Sequence, residues 1–579
     1  MTMAQAAQPT GQQALDPITI EVLRHGIVSV ADQIEANVTR TAYSHQISEY
    51  RDYSVAFIGL KGELIAQCRR GIPTFVADSI SRAVIDGIAI YGYDNLNHGD
   101  FILCNHPEVQ GQHLNNTVMF TPVYAGEGGR TLIGFFGINM HWIDLGGQIV
   151  GLKSTDVFME GLQLRTVKIW SKGELIEEVY RIIECNSRYP HELMGDIRAQ
   201  YMGCLMGRNL TAALADRYGT ETFQRAMEII LDQCEAATRK RIRSIPNGVY
   251  PGESFLDNDG INDWNVPLKV KVIVEDESVT VDFTDMPEEL PTAFNSGYYG
   301  GGRTIARLAF KYLIADDVPP NEGTYRALKM ILPDGKMISA SRSAPIASYS
   351  TPLPSTIDTV IRAMEHAMPA EVTAGHFGSH SAVRFYGKRP DGRFFNCHDG
   401  GVGGHGASST HDGGGPFRTL SHGDNRLVPV EAHERSYPFI LQEFGMRCDS
   451  AGAGKWRGGC GTVKQYLITG PCNLYLNFDR TLCHPWGVHG GGTGQPGRAL
   501  VYKVGAKEPV VLTKVSGFKL DADDVVRVET GGGGGYGPPG ERAVELIQRD
   551  LECGYISRDG AMRDYSVTVD NNGRVRRPS

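Results

Sequence analysis

Two histidines and an aspartate stand next to predicted strands. His113 precedes the apolar stretch TVMFTPVY at 117–124, and His141 follows TLIGFFGINM at 131–140. The turn AGEGGR between the two stretches predicts a β-hairpin, and an antiparallel hairpin brings the residues at its open end together. Asp52 comes immediately before another predicted strand. Two imidazoles and a carboxylate are a candidate site for a divalent metal that polarises a carbonyl or activates water. The alternative is ordinary hydrogen-bonded histidines beside strands.

A glycine-rich segment, HDGGVGGHGASSTHDGGG at 398–415, is the second candidate for chemistry. Glycine lets backbone N–H groups turn toward an anion, while His398, Asp399 and their neighbours could transfer protons or orient a substrate. A long surface loop with solvated polar side chains is the alternative. Glycine accounts for 70 of the 579 residues, well above the usual share of about 7%, and this excess requires a structural explanation.

None of the glycine runs matches a nucleotide-binding motif. The run TGGGGGYGPPG at 530–540 has no lysine and no strand–helix context. The stretch AGAGKW at 451–456 lacks the upstream glycine and the following serine or threonine of a P-loop. The sequence therefore predicts that this chain has no nucleotide fingerprint of its own.

The elements that must position these residues are a mixture of helices and hairpins. Asp16-Pro17 predicts a helix start, and apolar residues at helical spacing continue to about Tyr43. A turn at Lys61-Gly62 predicts a hairpin between DYSVAFIG and ELIAQC. Further predicted strands are FILC at 101–104 and the alternating stretches VPLKVKVIV and SVTVDFT. The spacing of apolar residues also predicts a helical hairpin at 204–243 and helices at 78–91, 302–315, 353–366 and 541–552.

This mixture predicts an α+β fold, a multi-region chain with mixed antiparallel sheets and packed helices. We expect a disordered tail at 1–15 and an N-terminal α+β region at 16–250 that contains the metal site. A central α+β region at 251–430 would contain the Gly/His-rich segment. The remaining region, 431–579, is predicted to be β-rich and glycine-rich.

Composition excludes several classes of function. The net charge of -9 is spread without a basic stripe, which argues against nucleic-acid binding. No apolar run approaches the roughly 20 residues of a membrane span, and the first fifteen residues do not resemble a signal peptide. We therefore expect a cytoplasmic protein with small-molecule or protein partners. The eleven cysteines form no C-x-x-C pair, which favours free thiols over a disulfide framework, with a structural zinc at Cys448, Cys460, Cys472 and Cys483 as the alternative.

Eight short motifs in a fixed order give the sequence a family resemblance. They are EYRDYS at 49–54, NHPEVQGQHLNNT at 105–117, HWIDLGG at 141–147, GDIRAQ at 195–200, VTVDFT at 279–284, AGAGKWRGGCG at 451–461, HPWGVHGG at 484–491 and TGGGGGYGPP at 530–539. Together they resemble the family of hydantoinase B, 5-oxoprolinase and the acetone carboxylase alpha subunit. The resemblance covers nearly the whole chain, from about Asp16 to about Tyr565.

The resemblance implies a set of metal ligands. In that family the metal is held by an aspartate, a histidine, a second aspartate three residues later and a second histidine. The matching positions here are Asp52, His113, Asn116 and His141. Asn116 departs from the pattern, because its amide offers a carbonyl oxygen but no charge. The implied cofactor is a divalent metal, with Zn, Mn and Fe left open.

Other departures concern the substrate pocket. His106 stands where the family usually has aspartate, while Gly71 and Phe75 replace its usual histidines around Ile72-Pro73. His106 would be a replacement ligand or part of a changed pocket. The candidate catalytic residues are therefore His106, His398 and Asp399.

The resemblance also implies a subunit of an ATP-dependent hetero-oligomeric enzyme. ATP would be used by a hydantoinase A-like partner subunit with an actin-like ATPase fold, and this chain would receive an activated intermediate such as a phosphorylated enol or imidate. The leading expectation is hydrolytic ring opening of a cyclic amide of the hydantoin, lactam or 5-oxoproline type. The alternatives are carboxylation of a ketone, as in acetone or acetophenone carboxylase, and a non-catalytic structural subunit.

Overall fold

The N-terminal helix begins where the sequence predicts. The computed structural model describes residues 15–149, 151–423 and 425–578, so the predicted tail lies outside the described residues except for its last position. Helix α1 (Pro17–Thr41) starts after Asp16, whose carboxylate accepts hydrogen bonds from the backbone N–H groups of Ile18 and Thr19. These bonds satisfy two N–H groups that the first turn leaves without helical partners.

The first sheet has seven antiparallel strands in the order β2-β1-β5-β4-β3-β6-β7. The strands are β1 (Tyr53–Ile58), β2 (Leu64–Gln67), β3 (Phe101–Cys104), β4 (Asn116–Ala125), β5 (Thr131–His141), β6 (Val167–Ser171) and β7 (Glu174–Leu175). Both hairpins predicted here, β1–β2 and β4–β5, are present. The strands β1, β4 and β5 are buried on both faces over most of their length, which explains the continuous apolar runs in the sequence.

Helices cover both faces of this sheet. They are α2 (His45–Ser48), α3 (Pro73–Val76), α4 (Ser79–Tyr91), α5 (Pro107–Gln110), α6 (Glu177–Cys185), α7 (Pro190–Tyr218) and α8 (Thr220–Ile242). Apolar side chains of α1, α7 and α8 share one core with the sheet, and those of α4 share a second core with it. The predicted helical hairpin is α7 and α8, and it begins earlier than predicted, with Pro190 in the first turn.

The second sheet is mixed and has four strands in the order β11-β10-β9-β8. Its strands are β8 (Gly248–Leu256), β9 (Val266–Glu275), β10 (Ser278–Asp282) and β11 (Leu328–Ile331), and the helices of this part are α9 (Thr304–Leu313), α10 (Glu322–Tyr325) and α11 (Pro352–Ala363). Only the β10–β11 pair is parallel. The strand β9 alternates between buried and accessible side chains, as its sequence predicts.

Two further sheets enclose one apolar core in the last third of the chain. Their strand orders are β13-β12-β16-β19 and β14-β15-β20-β17-β18. The elements are β12 (Ala382–Lys388), β13 (Phe394–Gly400), α12 (Val430–Ser436), β14 (Phe439–Met446), β15 (Thr462–Ile468), β16 (Cys472–Asn477), β17 (Arg498–Tyr502), β18 (Val510–Leu512), β19 (Lys514–Leu520), β20 (Val525–Glu529), α13 (Val544–Glu552), α14 (Arg558–Tyr565), β21 (Thr568–Val569) and β22 (Val575–Arg576). The α+β class is confirmed. Because β12 pairs with β16, one sheet contains strands from both sides of residue 430, the predicted boundary between the central and C-terminal regions.

The glycine excess is explained by direct backbone-to-backbone packing. The segment 530–536 runs beside three other segments, 403–407, 450–459 and 487–495, and we call these four segments the glycine bundle. Hydrogen bonds link 530–536 to each of the others: Gly404 N–H donates to Gly531 O, Gly533 N–H to Gly459 O, and Gly535 N–H to Gly492 O. A Cβ atom at most of these glycines would overlap a neighbouring backbone atom.

The first half of the segment 398–415 is neither a solvated surface loop nor a backbone cradle for an anion. Residues 399–404 and 406–408 are buried, so this part is not a solvated surface loop. The N–H groups of Gly404, His405 and Ala407 donate to the carbonyls of Gly531, Gly414 and Gly534. Because these N–H groups are already paired, they cannot turn toward an anion.

We expect Gly534→Ala to lower the free energy of unfolding by about 3 kcal/mol, since overpacked sites cost energy of this order. The added Cβ would overlap the carbonyl oxygen of Trp486. Gly540→Ala is the matched control, because nothing lies within 4 Å of its Cβ position. Thermal unfolding of both variants checks the prediction, and equal midpoints for the two would contradict it.

Candidate metal centre and adjoining cavity

Strand pairing gathers the four side chains of the candidate metal centre. Strand β5 ends at His141, which lies opposite Asn116 in the β4–β5 pair. On the other side of β5, the His141 N–H donates to the carbonyl of Asp52 at 2.9 Å. His113 stands three residues before Asn116, and the two imidazole centroids are 4.8 Å apart. The hairpin thus brings the two histidines to the same end, with Asp52 and Asn116 on either side.

Four potential ligand atoms converge there. The Asn116 Oδ1 atom lies 2.8 Å from His113 Nε2 and 3.2 Å from His141 Nδ1. The same His141 Nδ1 atom is 3.7 Å from Asp52 Oδ2. Ligands bound at about 2.0–2.2 Å in a tetrahedral site lie roughly 3.3–3.6 Å from one another. The 3.2 and 3.7 Å separations are close to this range, while the 2.8 Å separation is a hydrogen-bond distance.

Asn116 is held with its oxygen toward the imidazoles. Its Nδ2 donates to Gln112 Oε1 and to the Tyr349 hydroxyl, each at 3.0 Å. With both amide hydrogens used in this way, Oδ1 is the atom left to face the histidines. Tyr349 also packs edge-on against the His113 ring, with centroids 4.8 Å apart.

The hydrogen bonding of His113 favours a cation. Burial lowers its pKa to about 4, so the ring is neutral at pH 7 and has one proton. Both ring nitrogens nevertheless face acceptors: Nε2 faces Asn116 Oδ1, and Nδ1 lies 3.4 Å from the carbonyl of Ala347. A cation beside Nε2 would satisfy that side and leave the proton on Nδ1, an arrangement typical of metal-bound histidine.

Burial keeps His141 in a state suited to metal binding, whereas it favours the protonated form of Asp52. It lowers the pKa of His141 well below its usual value, with His113 adding to the effect, so this imidazole too is neutral. Burial raises the pKa of Asp52 to about 7, although a hydrogen bond from Gln46 opposes the shift. A divalent ion would stabilise the ionised carboxylate. The donor set therefore fits a divalent cation.

Asn116 is essential to that fit. Among the described residues, no three or more histidine, cysteine, aspartate and glutamate side chains are grouped as a metal site would require. The amide oxygen of Asn116 lies next to both histidines, so it is the atom that links them into one ligand set. The cysteine alternative has no such geometry, because Cys472 and Cys483 belong to two different apolar cores and Cys448 is exposed.

A cavity of about 80 Å³ adjoins the candidate metal centre, and we call it the histidine cavity. Its polar and aromatic lining consists of Tyr50, Asp52, Phe75, His113, His141, Ser348, Tyr349, Ser350, Thr351, His380, Arg384, His398, Arg418, Thr419, His422, Tyr475 and Asn477. The first sheet and its adjacent segments provide the candidate ligands, and residues 347–422 provide most of the facing wall. Phe75, which the resemblance marks as replacing a histidine, is part of the lining.

Most residues of the facing wall were not predicted from the sequence. His380, Arg384, Arg418 and His422 belong to no motif that we recognised, and they reach the cavity only through the third sheet and the loops beside it. The rings of His380 and His422 lie 4.0 Å apart. A cluster of histidines within 376–422 is the one sequence signal that would have pointed to this wall.

Only one of the three candidate catalytic residues lines the cavity. His398 does, and its ring packs edge-on against Tyr50, with centroids 5.2 Å apart. Asp399 is the next residue of β13, so its side chain points to the opposite face, where Lys464 Nζ binds it at 2.7 and 2.8 Å. His106 precedes helix α5, is buried, and is not part of the lining.

A model of the Hydantoinase B/oxoprolinase family matches residues 16–539. The chain belongs to this family. An uncharacterized protein of Methanocaldococcus jannaschii is 31% identical over 563 residues, which is 96% of each chain. Caprolactamase subunit beta of Pseudomonas jessenii is 28% identical over 586 residues, which is 97% of each chain.

Solved structures show the same fold as this hydantoinase B/oxoprolinase family member. The crystal structure of the ATP-dependent caprolactamase from Pseudomonas jessenii aligns with a TM-score of 0.88 at 26% identity, over 97% of this chain and 98% of that chain. Nucleotide-free acetone carboxylase aligns with a TM-score of 0.86 at 17% identity, over 97% of this chain and 81% of that chain. At that identity, the likeness to acetone carboxylase concerns the fold alone. Within the described ranges, no helix combines the length and hydropathy that crossing a membrane requires.

The buried ion pair of Asp399 predicts a pH-dependent contribution to stability. Burial alone would raise the pKa of Asp399, but the Lys464 ammonium overcomes this and holds it at about 2, below the ordinary 3.8. The pair therefore stabilises the fold fully above pH 3.8, and the contribution is lost as the pH falls toward 2.

We expect Asp399→Asn to lower the free energy of unfolding near neutral pH by about 3 kcal/mol, because Lys464 is left buried without its partner. The difference from the unmodified protein should shrink as the pH falls from 3.8 toward 2. Denaturant unfolding at several pH values measures both effects. Asp391→Asn, at the exposed turn between β12 and β13, serves as the control. If the difference in free energy of unfolding between Asp399→Asn and the unmodified protein did not change with pH, the lowered pKa of Asp399 would be wrong.

Proposed function

We propose that this chain is the hydrolytic subunit of an ATP-dependent hetero-oligomeric enzyme that opens the ring of a cyclic amide. The observation that supports this most is the convergence of Asp52, His113, Asn116 and His141 beside a cavity. Membership of the hydantoinase B/oxoprolinase family supports the substrate class, and the caprolactamase relative is named for a lactam, which is a cyclic amide.

The ATP chemistry belongs to a second subunit in this proposal. The sequence contains no nucleotide-binding fingerprint, whereas the structural relative from Pseudomonas jessenii is described as ATP-dependent and the corresponding sequence relative as a subunit beta. We infer that a hydantoinase A-like ATPase subunit activates the cyclic amide by phosphorylation. This chain then receives the activated substrate in the histidine cavity.

The proposed cofactor is a divalent metal, with Zn, Mn and Fe as the candidate ions, held by Asp52, His113, Asn116 and His141. Such an ion polarises a carbonyl group or lowers the pKa of bound water, and both effects promote attack on an amide. Asp52 is the only carboxylate of the set. The Asn116 oxygen contributes a dipole without charge, and its fixed orientation compensates in part by removing the cost of ordering it.

Residues of the histidine cavity position water and move protons. His398 is half-buried, and loss of hydration lowers its pKa well below the usual value, with Arg384 adding to the effect, so the ring is neutral. Its Nδ1 has no hydrogen-bond partner among the described residues. A neutral imidazole with a free nitrogen accepts a hydrogen bond from water or substrate, so we assign His398 to orient the attacking water. His106 and Asp399 are left with no catalytic role, because neither lines the cavity.

Metal content tests the ligand assignment. We expect His113→Ala to lower the affinity for divalent metal at least about tenfold, since even groups that only support metal ligands contribute that much. Elemental analysis after dialysis against a dilute metal buffer measures the change. His25→Ala, at an exposed position of α1, is the matched control and should keep the metal. Equal metal content in the two variants would remove His113 from the ligand set.

The reaction is tested with the complex purified from its native source. We expect ATP-dependent formation of a ring-opened amino acid from a lactam, hydantoin or 5-oxoproline, with no incorporation of labelled bicarbonate. Incorporation of the label would instead identify carboxylation. Unimpaired turnover by a complex that contains the His113→Ala chain would identify a non-catalytic subunit, and full activity of the isolated chain without ATP would overturn the proposal.

A further inference from the structure

Arg384 occupies the centre of the wall that faces the candidate metal centre. It lies in β12, directly opposite His398 of β13 and Tyr475 of β16. Residues opposite one another in antiparallel strands point to the same face of the sheet, so these three side chains form one row. All three line the histidine cavity.

The Arg384 guanidinium has no protein partner within the described ranges, where it forms neither a side-chain hydrogen bond nor an ion pair. The other arginine of the cavity, Arg418, differs in this respect. Its guanidinium donates to the carbonyls of Gly400, Gly401 and Arg426 and lies 4.6 Å from the Tyr50 ring centroid. Arg418 is thus a structural cation, whereas the donors of Arg384 remain available.

The charge balance of the cavity favours an anion. Its lining contains two guanidinium groups, Arg384 and Arg418, and a single carboxyl group, that of Asp52. The charge of Arg384 acts on both sides of the cavity. Burial has the larger effect and raises the pKa of Asp52 while lowering those of His113 and His398, and Arg384 lowers the pKa of all three. A half-buried guanidinium with an excess of positive charge around it is a strong site for an oxyanion.

Arg384 also lies where three small spaces meet. It lines the histidine cavity, a neighbouring space of about 60 Å³ that includes His113, His141 and Glu160, and a third space of about 30 Å³. The guanidinium therefore reaches the same region as the candidate metal ligands. A ligand group bound to Arg384 would lie next to the reacting atoms and would hold them in place.

We propose that Arg384 is the oxyanion-binding residue of this cavity and binds either a carboxylate of the substrate or the phosphoryl group that activates it. The identity of the anion rests on the proposed function, but the anion site itself does not. Both groups present two oxygens to the planar fork of a guanidinium, which lysine cannot match. A cyclic amide with neither group would leave Arg384 without a partner, so the cavity selects for anionic substrates or intermediates.

Binding measurements on the full chain test this inference without turnover. The calorimetric probes are inorganic phosphate, 5-oxoproline, and 2-pyrrolidinone, which has the same ring without the carboxylate. We expect Arg384→Gln to weaken binding of the phosphate or the 5-oxoproline at least tenfold and to leave 2-pyrrolidinone unaffected, and we expect Arg384→Lys to be intermediate. Arg393→Gln, on the same hairpin with a side chain 79% exposed, is the matched control and should bind as the unmodified chain does.

Each outcome decides one question. Loss of phosphate binding alone identifies the activating phosphoryl group as the ligand, and loss of 5-oxoproline binding alone identifies the substrate carboxylate. Equal affinities of Arg384→Gln and Arg393→Gln, or no binding of either anion by the unmodified chain, would overturn the inference. Thermal unfolding confirms that each variant is folded. If the anion binds through Arg384 but the complex shows no ATP-dependent ring opening, the proposed function fails and the anion site remains.

Discussion

Close packing of glycine backbones is the constraint on which the second half of this protein depends. In the glycine bundle, the segment 530–536 is surrounded by other backbone segments, and its N–H and C=O groups pair with theirs. Any side chain there would push the segments apart, because the space is already filled by backbone atoms. The segment 403–407 continues directly from the end of β13, so the bundle also fixes the strand that places His398 in the cavity.

Buried ion pairs link the bundle to the segments around it. Glycines contribute no side chains to an apolar core, and the segments around the bundle are linked instead by arginine–aspartate pairs. Arg542 bonds to Asp412 and to Asp550, each at 2.6 Å, while Arg457 bonds to Asp550 at 3.1 Å. Removing one partner of such a pair strongly destabilises the fold, because the other charge is left buried and unpaired. The pairs therefore hold the segments in one arrangement.

The candidate site lies between two walls with different properties. The first sheet contributes a group of acceptor atoms that would coordinate a bound cation. They are Asn116 Oδ1, Asp52 Oδ2 and the histidine nitrogens. The facing wall contributes the guanidinium of Arg384, whose positive charge a bound anion would neutralise. A substrate that has an oxyanion near a polarised carbonyl would satisfy both walls at once, and this complementarity links the family assignment to the geometry of this particular chain.

The sequence by itself determined the local elements and, through them, the meeting of His113 and His141, whereas Asn116 entered the candidate ligand set through the family resemblance. Asp16-Pro17 begins α1, the turns define the two hairpins, and an antiparallel hairpin must bring His113 and His141 to the same end. Only the tertiary structure decided the facing wall. The β12–β16 pair joins strands some ninety residues apart, and such a pairing leaves no local pattern in the sequence. The same holds for the glycines, which could equally have belonged to an exposed loop, because close packing depends on which segments meet and not on the residues of one segment alone.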